Sequence, residues 1–228
     1  MWIGGNMSEW LTLEPTGSRA YLAVPESGVG PGVLVLHAWW GLTSVFTDVC
    51  DRLAAAGFVA LAADLYAEGA TTDSIPGAEA LMQSQDNSAQ AAIVQASVDK
   101  LCDLPDATGS TIGVIGFSLG GYWAFNLSQT RPTDIGAVVA VYGAGEGDFS
   151  LANAAYLGHF AENDDYEDIA YVRELETSIR DAGREVTFHL YPGTGHWFAE
   201  PNRPDVYNAE ATELVWERTI AFLNKHLG

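Results

Sequence analysis

Five short runs in this chain are apolar along most of their length: "GVLVLH" (32–37), "FVALAAD" (58–64), "TIGVIGF" (111–117), "IGAVVAVYG" (135–143) and "AAYLGHFAEND" (154–164), and "EVTFHLYPG" (185–193) reads as a last strand. A strand with one wet face would alternate apolar and polar residues. Runs that do not alternate must be covered on both faces, which is the condition of a strand inside a parallel sheet. The stretches between them carry helical spacing: "VFTDVCDRLAAAG", "SAQAAIVQASVDKLCDL", "LGGYWAFNLSQ", "DIAYVRELETSIRDAG" and the terminal "DVYNAEATELVWERTIAFLNKHLG". Gly57 and Gly183 stand where two of these helices should stop. Upstream, "RAYLAVP" reads as a further strand paired with "WLTLEP" across "TGS". Strands alternating with helices predict an α/β fold with a mostly parallel central sheet and helices on both faces. In such sheets ligands meet loops beyond the C-terminal ends of the strands.

No repeat or low-complexity linker divides the 228 residues, so one domain over 7–228 is expected, with "MWIGGN" (1–6) an N-terminal extension or an alternative start. Hydrophobic residues make up 48% of the chain, enough to build a core. The chain lacks an uncharged apolar run of about 18 residues and a signal-peptide pattern, so a cytoplasmic protein is expected. Thirty acidic against ten basic residues give a net charge of −20. That field repels nucleic acid and anionic lipid, so neither is an expected partner. Cys50 and Cys102 lie in helical stretches without metal-ligand spacing and read as core thiols.

The strand "TIGVIGF" passes into its helix through "GFSLGG" (116–121), which fits G-x-S-x-G. A serine exposed on so sharp a turn needs small residues around it, because a Cβ nearby would collide with the neighbouring backbone. The helix that follows aims free N–H groups and its positive end at the site. Ser118 is therefore a candidate nucleophile. A hydroxyl needs a base, and the base needs an orienting acid. Among later histidines, His226 falls in the last helix, His189 in mid-strand and His159 inside a strand pattern. His196 stands in "YPGTGHWF", a glycine-bearing loop after the last strand, and is the candidate base. The acid should come from "AENDDYED", which offers Asp164, Asp165 and Asp168. Asp164, first after the strand, leads, with Asp165 in reserve. Backbone donors for an oxyanion should be the N–H of Leu119 and, from the loop "AWWGLT", that of Trp39.

With these residues in place, the chain resembles the dienelactone hydrolase family of α/β-hydrolases. The resemblance runs over "VLVLHAWWGL", "AADLYAEG", "IGFSLGGYWAF", "HFAENDDYED" and "YPGTGHWFAEPNRPDVYNAEATELVWERTIAFL". It implies a compact fold without a separate lid domain, an acid at Asp164 and a base at His196. Founding members of that family carry a cysteine where this chain has Ser118, and a glutamate where it has Ala38. They also hold a substrate carboxylate through two arginines, matched here by Glu68 and Glu200. A neutral small ester or lactone is thus the expected substrate, rather than an anionic dienelactone. The aromatic residues Trp40, Tyr66, Tyr122 and Trp197, with Glu68 and Glu200, are expected around an apolar pocket.

The expected chemistry is carboxylic-ester hydrolysis through a Ser118–His196–Asp164 triad and an acyl-enzyme. No metal or other cofactor is required, the partner is a small molecule, and the protein is expected to be a monomer or a small homo-oligomer. The alternatives are a dienelactone hydrolase proper and a homologue that binds a ligand without turnover.

Overall fold

The computed structural model describes residues 7–66 and 69–228. The chain divides into two compact units, one ending at Ile112 and one running from Gly113 to Gly228. The N-terminal extension 1–6 and Glu68 lie outside the described residues.

In the first unit the strands are β1 (Met7–Leu13), β2 (Ser18–Val24), β3 (Gly30–Leu36) and β4 (Val59–Ala63). Their order is β1-β2-β4-β3. The expected hairpin is present: β1 and β2 pair antiparallel from Met7↔Val24 to Leu13↔Ser18. β2 joins β4 antiparallel, and β3 runs parallel to β4, with Leu36 opposite Ala63. Val33 to Leu36 and Val59 to Ala63 have no exposed surface. Successive side chains on a strand point to opposite faces, so both faces of these strands are covered. The helices of this unit are α1 (Ser44–Ala55), α2 (Ile75–Ser84) and α3 (Asn87–Asp103). Asp86 caps α3 by accepting from Ser88 N.

Strand β5 (Ala107–Phe117) begins in the first unit and ends in the second. The second unit continues with α4 (Leu119–Thr130), β6 (Ile135–Val141), β7 (Ala155–Asn163), α5 (Ile169–Asp181), β8 (Val186–Gly195) and α6 (Ala209–Leu227). Its strand order is β5-β6-β7-β8, with β6–β7 and β7–β8 parallel. Ala137 to Val141 of β6 are buried in succession, and α4 and α6 both pack against that strand. Each described helix lies between two strands or after the last one, with α2 and α3 sharing the interval between β4 and β5. No described helix is long and apolar enough to cross a membrane.

One expectation is corrected. Cys50 is buried in α1, but Cys102 is exposed on α3 and is not a core thiol. Position 102 falls in the last turn of α3, next to exposed Asp103, where the helix's buried stripe has turned away.

So acidic a chain repels itself when compact, and salt screens that repulsion. Raising NaCl from about 0.05 to about 0.5 M, where the Debye length falls to only a few ångströms, is expected to raise the unfolding temperature. A scanning calorimetry series checks this; a midpoint that falls with salt would show that ion pairs outweigh the net repulsion.

Candidate active site

Ser118 sits between β5 and α4 with φ +50° and ψ −113°, in a region that residues with a side chain rarely occupy. Neighbouring backbone holds it there. Ser118 N donates to Val141 O at the end of β6 (3.0 Å), and Ser118 O accepts from Gly121 N (2.8 Å). A Cβ at Gly116 would stand 2.1 Å from Gly120 O. Gly121 and Gly143 meet backbone to backbone, a Cβ on Gly121 falling 2.8 Å from Gly143 Cα. The glycines thus permit two chain segments to close around the serine.

The base and the acid are set by the pairing of β7 with β8. From Tyr156↔Val186 to Ala161↔Tyr191 the partners are thirty residues apart; at Asn163↔Gly195 they are thirty-two apart. Two additional residues of β8 are taken up there, at a bend where Gly193 has φ +71° and Gly193 N donates to Glu162 Oε2 (2.8 Å). Asp164 and His196 are the next residues on the two strands. Without the shift, the residue in line with Asp164 would be Thr194.

The three side chains form a hydrogen-bonded chain. Asp164 Oδ2 lies 2.8 Å from His196 Nδ1, and His196 Nε2 lies 2.9 Å from Ser118 Oγ. The Asp164 and His196 side chains are almost fully buried. Asp164 Oδ1 accepts from Tyr166 N (2.9 Å) and Glu167 N (3.0 Å), so its two oxygens have separate tasks. With the carboxylate accepting from Nδ1–H, the lone pair of Nε2 faces the serine hydroxyl, which donates to it. Asp165 is exposed, and Asp168 is the N-cap of α5, accepting from Ala170 N.

Three aromatic rings surround the imidazole: Tyr142 at 5.1 Å, Tyr166 at 5.0 Å and Trp197 at 4.9 Å between centroids. Tyr142 and Trp197 both have positive φ. Neither Tyr166 nor Glu167 stood out in the sequence, because both lie in an acidic run that reads as a solvated face. Tyr142 Oη donates to Glu200 Oε1 (3.0 Å), and burial beside that carboxylate pushes the phenol well up.

The remaining expected site residues are divided. Leu119 is the first residue of α4, so its N–H belongs to the helix start beside Ser118. Tyr122 is 43% exposed, and Trp197 retains a little surface. Glu200 has no exposed surface, its oxygen being engaged by Tyr142. Trp39, expected as the other oxyanion donor, belongs to the first unit, as do Trp40 and Tyr66. Trp40 and Tyr66 are fully buried, because the loop turns them inward: Tyr66 Oη donates to Trp39 O (3.0 Å), and Trp40 O accepts from Thr72 N (3.0 Å). Ala38, in the same loop, accepts from Gly41 N and from His37 Nδ1. Burial lowers His37 to about 4, so its ring is neutral at ordinary pH and accepts from Leu65 N at Nε2. Among the described residues no group of three His, Cys, Asp or Glu side chains is arranged to hold a metal ion.

Known proteins resemble the chain over nearly its whole length. Protein usf of Aquifex pyrophilus is 32% identical, the match covering 97% of this chain and 100% of that protein. Carboxymethylenebutenolidase of Pseudomonas sp. (strain P51) is 28% identical over 96% of both chains. Among solved structures, a dienelactone hydrolase-like promiscuous phosphotriesterase from metagenomic libraries superposes with a TM-score of 0.88 at 22% identity, covering 99% of this chain and 100% of its own. Dienelactone hydrolase from Anabaena variabilis gives 0.68 at 17% identity, over 98% of both chains. Residues 18–227 match the dienelactone hydrolase family, and the chain is a member of that family, a hydrolase of the α/β-hydrolase fold.

Proposed function

We propose that the protein is a serine hydrolase of small neutral carboxylic esters or lactones, acting through an acyl-enzyme. The observation that carries this reading is the continuous chain from Ser118 Oγ through His196 to Asp164. His196 Nε2 takes the hydroxyl proton as Oγ attacks the ester carbonyl. Asp164 holds Nδ1–H and balances the imidazolium. The developing oxyanion is met by the N–H of Leu119 at the start of α4. His196 then gives its proton to the departing alkoxide, and water repeats the sequence to free the acid. The family match spans both compact units, which supports reading the chain as one catalytic domain, and the proposed chemistry calls for no cofactor. Cytoplasmic location, and a monomeric or small homo-oligomeric state, complete the proposal.

Incubation with p-nitrophenyl acetate and butyrate tests the chemistry, and mass analysis after a phosphonate ester tests the nucleophile. Turnover with a single adduct on Ser118 is the expected result. An adduct elsewhere, or none together with no turnover on esters or lactones, would overturn the reading.

Dienelactone hydrolysis proper is the second reading, favoured by the name of the Pseudomonas relative. The sequence favours neutral substrates: Glu68 and Glu200 stand where the founding members carry arginines, so the two cations that hold a substrate carboxylate in those members have no counterpart at these positions. A neutral ester is expected to show a higher kcat/KM than a carboxylated analogue of equal size. A clear preference for the carboxylate would reverse the assignment.

A further inference from the structure

We propose that Glu167 is a positioning residue for the reacting pair, holding the segment after β6 against both the nucleophile and the base. The inference rests on the reading of Ser118 and His196 as that pair.

The segment Tyr142–Gly145 touches both of them. Tyr142 lays its ring 5.1 Å from the imidazole of His196. Gly143 lies so close to the serine backbone that a Cβ there would stand 2.3 Å from Ser118 O. Ala144 N donates to Glu167 Oε1 (3.0 Å), and Gly145 O accepts from Tyr171 Oη of α5 (3.0 Å). Glu167 N in turn donates to Asp164 Oδ1. One residue therefore ties the acid, through its own N–H, to the segment that abuts serine and histidine, through its carboxylate. An acidic loop on a strongly acidic surface has no other evident reason to turn a carboxylate inward, half-buried and next to Asp164.

That placement has an electrostatic cost. Burial and the charge of Asp164 raise the Glu167 carboxyl to about 7, although the bond from Ala144 N opposes the rise. The titratable groups of the segments it joins are Asp164, Asp165, Tyr166 and Asp168 on its own loop, Tyr142 and Glu146 after β6, Tyr171 on α5, and His196 after β8. A carboxyl raised in the folded state leaves stability untouched below its ordinary range. It lowers stability progressively as pH rises towards 7, and fully above that.

Glutamine can still accept from Ala144 N but carries no charge; alanine can do neither. Ester hydrolysis by wild type, Glu167→Gln and Glu167→Ala, each followed from pH 5 to 9, separates the two roles. Glu167→Ala is expected to lose about tenfold to a hundredfold in kcat, with KM little changed, as misplaced reacting groups do. Glu167→Gln is expected to keep the plateau rate, because it still accepts from Ala144 N. Its unfolding temperature should match wild type near pH 4.5 and exceed it at pH 8. Wild-type kcat and profile in Glu167→Ala would overturn the proposal, as would a Glu167→Gln enzyme as slow as the alanine variant. Absence of Ser118-dependent turnover in wild type would instead defeat the functional reading on which the proposal rests.

Discussion

Replacing Ser118 with alanine is expected to lower kcat on p-nitrophenyl butyrate by about 10⁴-fold or more, with the fold intact. The exchange removes only Oγ, and with it the bond to His196 Nε2. Alanine has the same Cβ as serine, so the strain of the φ +50° turn is unchanged and the backbone bonds to Val141 O and from Gly121 N persist. Circular dichroism and the unfolding temperature should therefore stay near wild type while acyl-enzyme formation stops. Equal turnover by the two proteins would mean that the serine is merely a turn residue.

The second large effect is expected from Asp164→Asn, about 10³-fold or more in kcat. Two backbone N–H groups, of Tyr166 and Glu167, point at Oδ1 and require an acceptor there. An asparagine must keep its oxygen on them, because its amide nitrogen would set donor against donor. Its NH₂ then faces His196 Nδ1, which can only accept. The imidazole is driven into the tautomer with the proton on Nε2, and that nitrogen can no longer take a proton from Ser118. Rates measured across pH should fall on the whole plateau. A variant within about tenfold of wild type would show that the acid does not set the tautomer.

The parallel strands were legible in the sequence because burial on both faces forbids alternation. The runs at 33–36, 59–63 and 137–141 are fully apolar for that reason. Ser118 was visible through its glycines, and His196 through the glycine-bearing loop after the last strand. The acid was harder to single out, since three aspartates lie within five residues. Asp168 could have been set aside, because an aspartate immediately before an apolar helical stretch is an N-cap signal. What separates Asp164 from Asp165 is a long-range bond to a histidine thirty-two residues away, which no local pattern records. Tyr142 stands out only as one more strand-end aromatic residue, and the same limit hid its contact with His196 and the role of Glu167. A non-glycine residue at φ +39° carries no local signature, and a glutamate in "ENDDYEDI" looks like any other solvated acid until Ala144 arrives from another strand end. Trp40 and Tyr66 show the converse: large aromatic residues in strand-end loops look like pocket walls, yet both are enclosed.

The two-residue offset between β7 and β8 has a practical consequence for anyone who shuffles or aligns such chains. Between Tyr191 and Gly195 it is the number of residues, more than their kind, that carries information. Side chains alternate along a strand, so losing one residue there would carry His196 to the opposite face of the sheet. Losing two would remove the offset and return the pairing to its thirty-residue register, in which His196 again falls in line with Asp164 but without the bend at Gly193. Substitution libraries can therefore range over exposed Pro192, whereas Thr194 is buried with its hydroxyl donating to Tyr191 O, and a single deletion at either would silence the enzyme without touching any reacting residue. Homologues that differ by one residue here would need a compensating change in β7, and a search for such paired indels would locate the base where residue identity alone does not.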